Sequence, residues 1–356
     1  MRRDGAIDLL GSYEQATRTL RLAGAGFPLL EAGTHVIEGD LPWQLDEMAP
    51  DGFIAASFAA RYPELGLPAR RSMWSAADVL RVIALRGEDL AGNLIVGDES
   101  AARRDAPLTF DDVLRNVWDT MHALAGGRRP LPGSSVGGDR PKLLARRADG
   151  VDVIMKFSPP RSEPHGQRWS DLLRMEHHCA ETLRGHVPAV TTRVHDDAGR
   201  TFLEVERFDR VPGGGRVGAV TWYHLGVGRY AEPSNVMEVA LALHRDGFID
   251  DDALARVELV HGFSAAIGNN DAHLGNYGLT IDDAGVVALA PFYDVLPMAL
   301  APRHDELADD RVAAFPAPRP EVAAWVLHDL VARVESDRAI SRAFVDVWKS
   351  KLRPGR

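Results

Sequence analysis

Cysteine is almost missing from this chain, with one residue, Cys179, in 356. An intrachain disulfide is thereby excluded, and so is a Cys-cluster zinc site. The expected setting is a reducing, cytoplasmic one. No apolar run approaches the roughly 18 residues that a membrane span needs. The opening MRRDGAIDLLGSYEQ carries two arginines but only a short apolar stretch before charge returns, so no secretory leader is expected. Basic residues do not dominate either. Lys and Arg number 41 against 51 Asp and Glu, a formal charge of −10, which speaks against a surface built to grip nucleic acid. Neither direct nucleic-acid binding nor a membrane partner is expected. No fixed-period repeat is visible, which excludes solenoids and propellers. What is present is 45% hydrophobic and 26% charged residues, the composition of a globular chain long enough for two ordinary domains.

Pattern divides the chain. Residues 1–20 read as a short helix, 21–60 as strands or loops followed by a helix from about Phe53. A helix is expected from Ser75, its N-cap, to Gly87. Another is expected from Thr109 to Gly126–Gly127. Lys142–Arg147 and Val151–Phe157 read as strands joined by a turn at Asp149-Gly150. A helix follows from about Ser170, then strands at Val187–Val194 and Thr201–Phe208. Residues 211–234 are Gly-rich and expected to be mobile. From Val236 the pattern is helical, interrupted by a hairpin over Tyr277–Pro291. A strand-rich first half meets a helix-rich second half near Glu204–Gly215. The expected divisions are an N-terminal subdomain of uncertain role (1–125), a nucleotide-binding lobe (126–210) and a helical lobe (211–356). A cleft at the junction of two lobes suits an enzyme.

The segment IGNNDAHLGNYGL places a polar run directly after an apolar helix. Asp271 and Asn276 stand at the D-x4-N spacing of kinase-like catalytic loops, where the Asp orients or deprotonates the attacking hydroxyl and the Asn holds magnesium. The plain structural alternative is an Asx-turn with a solvated Asn. Asp294, in PFYD, follows eighteen residues after Asn276, beyond the expected hairpin, where a kinase places its metal-binding Asp; a strand-end cap is its alternative. Lys156 lies inside the apolar run VDVIMKF and needs a reason to be there. It either snorkels from an edge strand or grips phosphate. Glu176, twenty residues on, sits on a helix where it could pair with Lys156. Upstream, Ser134-Ser135-Val136-Gly137-Gly138 could lie over phosphates with its backbone N–H groups. The five features gain weight from their order along the chain.

On these residues the sequence resembles the HipA-like serine/threonine kinases, the toxins of bacterial toxin–antitoxin systems. SSVGGDRPK, IMKF, VERFDR, GNNDAHLGN and PFYD carry the resemblance, which runs from about Pro132 to Met298. It implies an α+β, two-lobed protein-kinase-like fold with a β-rich N-terminal lobe, using ATP and Mg2+. It implies Asp271 as the catalytic Asp, Asn276 and Asp294 as metal ligands, and Lys156 on the ATP phosphates. Glu206, Arg207 and Phe208 would form the hinge strand around the adenine, with backbone groups reading its edge and Phe208 packing near it. His273 matches the family's catalytic-loop histidine, structural or phosphate-adjacent.

The resemblance also makes the loop around Ser134 and Ser135 a site of self-phosphorylation. About −2 charges beside the ATP phosphates would expel it and switch the kinase off. The implied partners are a protein substrate carrying a serine or threonine hydroxyl and an antitoxin protein. Residues 1–125 look more helical than the family's usual β-rich N-terminal segment. Two other readings stay open: a small-molecule or lipid phosphotransferase on the same fold, and a non-catalytic regulator that binds nucleotide or an antitoxin.

Overall fold

The structure, a computed structural model, describes residues 1–23, 27–50, 55, 58–59, 62–103, 142–163, 165–230, 235–302, 306–307, 309–317 and 324–353. The helix expected from Thr109 and the loop Ser134, Ser135, Val136, Gly137, Gly138 lie outside the described residues, as does most of the helix expected from Phe53.

The N-terminal region is not the short helix expected over residues 1–20. It opens with a three-stranded antiparallel sheet of β1 (Gly11–Glu14), β2 (Thr19–Leu22) and β3 (Gly33–Val36). Only the central strand buries an apolar face, through Leu20 and Leu22, which is why no clean alternation marks β1 and β3. A helical turn α1 (Trp43–Asp46) and the helices α2 (Ala76–Arg86) and α3 (Asp98–Ala102) complete it. Helix α2 starts where expected because Ser75 and Asp78 form a reciprocal capping box, which satisfies two otherwise orphaned N–H groups. Val79, Val82 and Ile83 on α2 pack with Leu20, Leu22, Leu45, Met48 and Trp74 into a separate core.

The second sheet is antiparallel, in the order β4 (Lys142–Arg146), β5 (Asp152–Phe157), β7 (Arg200–Glu206), β6 (Thr192–Asp197). Its register sets Lys142 opposite Lys156, and Lys156 opposite Leu203. Helix α4 (Gly166–Arg184) crosses between β5 and β6. One side of it feeds Leu173 to a cluster with Val190, Leu203 and Val205, and another feeds Leu172, Met175, Cys179 and Leu183 to the large helical core. Each such buried side chain contributes about 1.5–3 kcal/mol, so α4 joins the two halves.

Of residues 211–234, expected to be mobile, 211–230 are described and form regular elements. They hold a small ribbon of β8 (Arg210–Val211) and β9 (Gly215–Arg216), then β10 (Gly218–Thr221) and helix α5 (Trp222–Arg229). Gly213 and Gly214 take positive φ at the ribbon's turn, and Gly228 has no Cβ because one would overlap the Trp43 indole. These glycines serve a turn and a close approach, not looseness. Trp222 is fully buried and Tyr223 exposed. Helices α6 (Val236–Arg245) and α7 (Asp251–Ile267) follow. The expected hairpin is β11 (Gly278–Ile281) and β12 (Val287–Leu289), with β11 also paired to β10. Helices α8 (Ala324–Ser336) and α9 (Arg342–Lys351) close the helical half. Among the described residues no helix is long and apolar enough to cross a membrane.

Candidate active site

Strand β5 carries Lys156 into the interior, where it is 8% exposed. It is no snorkelling edge lysine, because β5 is flanked by β4 and β7. Its ammonium donates to Glu176 Oε1 on α4 at 2.6 Å and to Asp294 Oδ1. A cation buried with two carboxylates sets up a conflict. Burial works against the Lys156 charge, but Asp294 and Glu176 outweigh it and the ammonium is held protonated well above its usual range. Asp294 is held well below the usual carboxylate range: burial opposes its charge, while Lys156 and then Lys142 overcome that penalty. Glu176 takes the other side of the compromise, pushed up to about 7 by burial, with Lys156 opposing. Two carboxylates sharing one cation do not both ionise easily.

Asp294 adopts a left-handed backbone, φ +56°, a conformation that costs a non-glycine residue about 1–3 kcal/mol and that Asp tolerates better than most. Asn269 helps hold it. This buried side chain donates from Nδ2 to the Asp294 carbonyl at 3.4 Å and accepts from the Asp271 N–H at 3.2 Å. Asn269 therefore ties the loop after α7 to the segment that bears Asp294. Within the loop, Asn276 Nδ2 donates to the Asp271 carbonyl at 2.8 Å, which directs the amide oxygen, a hard acceptor, away from that carbonyl. His273 is exposed, and its Nδ1 accepts from the Gly275 N–H at 3.0 Å. It braces the turn at Leu274–Asn276.

The remaining expected site residues lie where β7 leaves the sheet. Glu206 accepts from Arg147 at 2.8 Å on the sheet. Arg207 turns its side chain inward to Asp209. Phe208 stacks on Tyr293, with centroids 5.8 Å apart and planes at 27°. Tyr293 immediately precedes Asp294, and its hydroxyl donates to the Gly275 carbonyl at 2.9 Å. The hinge segment, the Asp294 segment and the catalytic-type loop thus meet through one aromatic pair.

Three residues escaped sequence reasoning. Asn269 had a signal, as a polar residue directly after an apolar helix. Tyr293 had only its place beside Asp294. Lys142 is opposite Lys156 in register, and like charges directly opposed destabilise a sheet unless anions lie between them. Asp294 bonds Lys156 and feels the charge of Lys142. Among the described residues no group of three His, Cys, Asp or Glu side chains is placed to hold a metal. The oxygen donors present, the Asp294 carboxylate and the Asn276 amide, are hard and few. That donor set fits magnesium, which keeps several waters and shares phosphate oxygens with its ligand.

The chain is also similar to known proteins. The HipA-like C-terminal domain matches residues 134–342, and the middle domain of YjjJ-like toxins matches residues 5–104. Toxin YjjJ of Escherichia coli K12 is 30% identical over 274 residues, 74% of this chain and 61% of that protein. The chain thus spans about three fifths of that relative's length. The HipA chain of Shewanella oneidensis MR-1, solved with HipB and operator DNA, superposes with a TM-score of 0.62 at 18% identity, covering 96% of this chain and 92% of that one. The Helicobacter pylori kinase CtkA superposes with a TM-score of 0.42 at 14% identity, over 62% of this chain and 90% of that one. The fold is α+β, two-lobed and protein-kinase-like. The N-terminal region, read from sequence as more helical, is a mixed sheet-and-helix module.

Proposed function

This chain belongs to the HipA-like toxin family, and from that premise we propose that it is an ATP- and Mg2+-dependent serine/threonine protein kinase. The observation that carries the reading is the buried Lys156–Glu176–Asp294 cluster, linked through Asn269 to the loop that holds Asp271 and Asn276.

Each residue has a task. Lys156, kept cationic by its two carboxylates, holds the nucleotide's phosphates and neutralises their charge. Glu176 fixes the direction of the Lys156 side chain. Asp271 orients the acceptor hydroxyl and takes its proton as the new P–O bond forms and the bond to ADP breaks. Asn276 and Asp294 would hold magnesium, which when bound spreads the phosphate charge. The backbone of Glu206, Arg207 and Phe208 reads the adenine edge, and Phe208 with Tyr293 supplies an apolar wall. His273 braces the catalytic loop. The loop Ser135, Val136, Gly137 and Gly138 would cover the phosphates, with Ser134 or Ser135 as the self-phosphorylation site. The division into a nucleotide-binding lobe up to about residue 210 and a helical lobe beyond it belongs to the same proposal. The acceptor is a protein hydroxyl. An antitoxin partner is proposed by analogy with the HipB that accompanies the solved HipA.

The test is incubation with γ-labelled ATP and Mg2+, alone and with a cell lysate. The native chain is compared with Asp271→Ala and Asp294→Ala, and intact mass is read alongside. Label on the native chain or on a lysate protein, absent with both variants, is the expected result. A folded, initially unphosphorylated native chain that labels nothing overturns the proposal.

A further inference from the structure

The hinge is held from behind by the N-terminal module. In the segment Glu206–Arg210, Phe208 faces Tyr293, while Arg207 and Asp209 are buried on the other side. Arg207 forks onto Asp209, with Nε and Nη2 donating to its two oxygens at 3.0 and 2.9 Å. Each hinge guanidinium also reaches the loop after α2. Arg207 Nη1 donates to Asp89 Oδ1 at 2.7 Å, and Arg210 Nη2 donates to the same oxygen at 3.1 Å. Arg210 donates further to the Leu90 carbonyl at 2.6 Å and the Gly92 carbonyl at 3.0 Å. In return the Gly92 N–H donates to Asp209 Oδ2 at 2.8 Å.

The charge balance makes this loop more than a neighbour. Arg207, Arg210 and Arg216 are three guanidiniums with side chains almost wholly enclosed, and the carboxylates bonded to them are Asp209 and Asp89. Arg216 donates to the Glu88 carbonyl, and its Nη1 is buried without a partner among the described residues. Burial and the charge of Arg210 pull Arg216 down to about 9, with Asp89 opposing. Asp89 is thus the loop carboxylate bonded to these guanidiniums, while its neighbour Glu88 has a carboxylate oxygen buried without a partner among the described residues. The loop also packs closely against β10, since a Cβ on Gly92 would sit 3.3 Å from the backbone of Ala219.

We propose that residues 88–93 are a clamp that fixes the hinge for nucleotide binding, with Asp89 as its positioning residue. The proposal rests on the kinase reading for its functional half. Asp89 touches no reacting group. It acts through Arg207 and Arg210, which set the backbone on either side of Phe208. Its side chain is 40% exposed, so its loss loosens the clamp without emptying a core.

Asp89→Ala and Asp89→Asn are the variants, with Glu64→Ala, an exposed partner of Arg86, as control. Hydrogen exchange without nucleotide should show faster exchange over residues 206–210 in Asp89→Ala and no change in α7. MgATP titration and kinetics should give a roughly five- to tenfold rise in Kd and in KM for ATP, with kcat within about twofold. Asp89→Asn, which keeps an acceptor, should lie between. The control should match the native chain. Unchanged exchange in the hinge with unchanged Kd overturns the proposal. A native chain that binds no MgATP overturns the kinase reading and the nucleotide half of the proposal. The exchange result still decides whether the clamp holds the hinge.

Discussion

Glu176 has two neighbours that pull its proton in opposite directions. Lys156 favours its charge, while burial and Asp294 oppose it, and the carboxyl ends near 7 against 4.5 unperturbed. The sign of the pH effect follows. Between about 4.5 and about 7 the folded chain holds a proton here that the unfolded chain has released. Stability contributed at this site therefore falls as pH rises through that window. Glu176→Gln keeps an oxygen acceptor for Lys156 and cannot titrate. Denaturant midpoints of native and variant, compared from pH 4.5 to 7, should diverge in the variant's favour as pH rises; parallel curves would contradict the assignment. Lys156 stood out in sequence as a polar residue in an apolar strand, and Asp271 by its D-x4-N spacing to Asn276 in a polar run after an apolar helix. Arg207 and Asp209 stood out only as part of VERFDR. The partner Asp89 lies 118 residues away from Arg207, and no local pattern could announce that pairing.

At the level of elements, two junctions are tightly built. Helix α7 ends on Gly268, with φ +85°, and a Cβ there would overlap the Phe315 ring. The residue after it, Asn269, begins the tie to Asp294. Gly268→Ala combines a left-handed strain of about 1 kcal/mol with overpacking of about 1–3 kcal/mol. A loss of about 2–4 kcal/mol in denaturant unfolding is expected, with reduced phosphate transfer in the surviving folded fraction. At the second junction, α5 meets the turn after α1. His224 Nδ1 lies 2.8 Å from Glu47 Oε2, and Nε2 lies 3.4 Å from Asp46 Oδ2. Burial alone would lower this imidazole, but hydrogen bonds to Asp46 and Glu47 outweigh it and raise it to about 9 from 6.5. The stabilisation is complete below about 6.5 and is lost as pH rises through about 9. Melting temperature measured from pH 6.5 to 9.5 should fall less steeply in His224→Gln than in the native chain. Helix α2 was legible because Ser75 caps it, and α6 and α7 were legible from their helical pattern; the structure adds caps at Asn235 and Asp250. Strands β1 and β3 were not, because both are largely exposed and lack the alternation that marks a half-buried strand.

The whole molecule sets a hinge and catalytic-type loop between two lobes and backs them with a third body. That two lobes exist was readable from the change in texture near Glu204–Gly215. The contacts of the N-terminal module with Arg207 and Arg210 were not, since several run through backbone carbonyls that any sequence supplies and the side chain among them, Asp89, is distant in sequence. If the cleft takes MgATP, binding adds stability to the folded chain by mass action, about 2.7 kcal/mol at a hundredfold excess over Kd. A rise in melting temperature with MgATP is expected for the native chain and not for Asp294→Ala. Equal rises in both would place the nucleotide elsewhere.

The clamp also has a history along the chain. Asp89, Leu90 and Gly92 are made 117 to 121 residues before the arginines and aspartate that they bind. At ribosomal rates of about 5–20 residues per second, that gap lasts roughly 6–24 s. For that interval the carbonyls of Leu90 and Gly92 have no hinge to bind and stay in water. Contacts of such long range close late and slowly, so the joining of this loop to the segment 206–210 belongs to the end of folding.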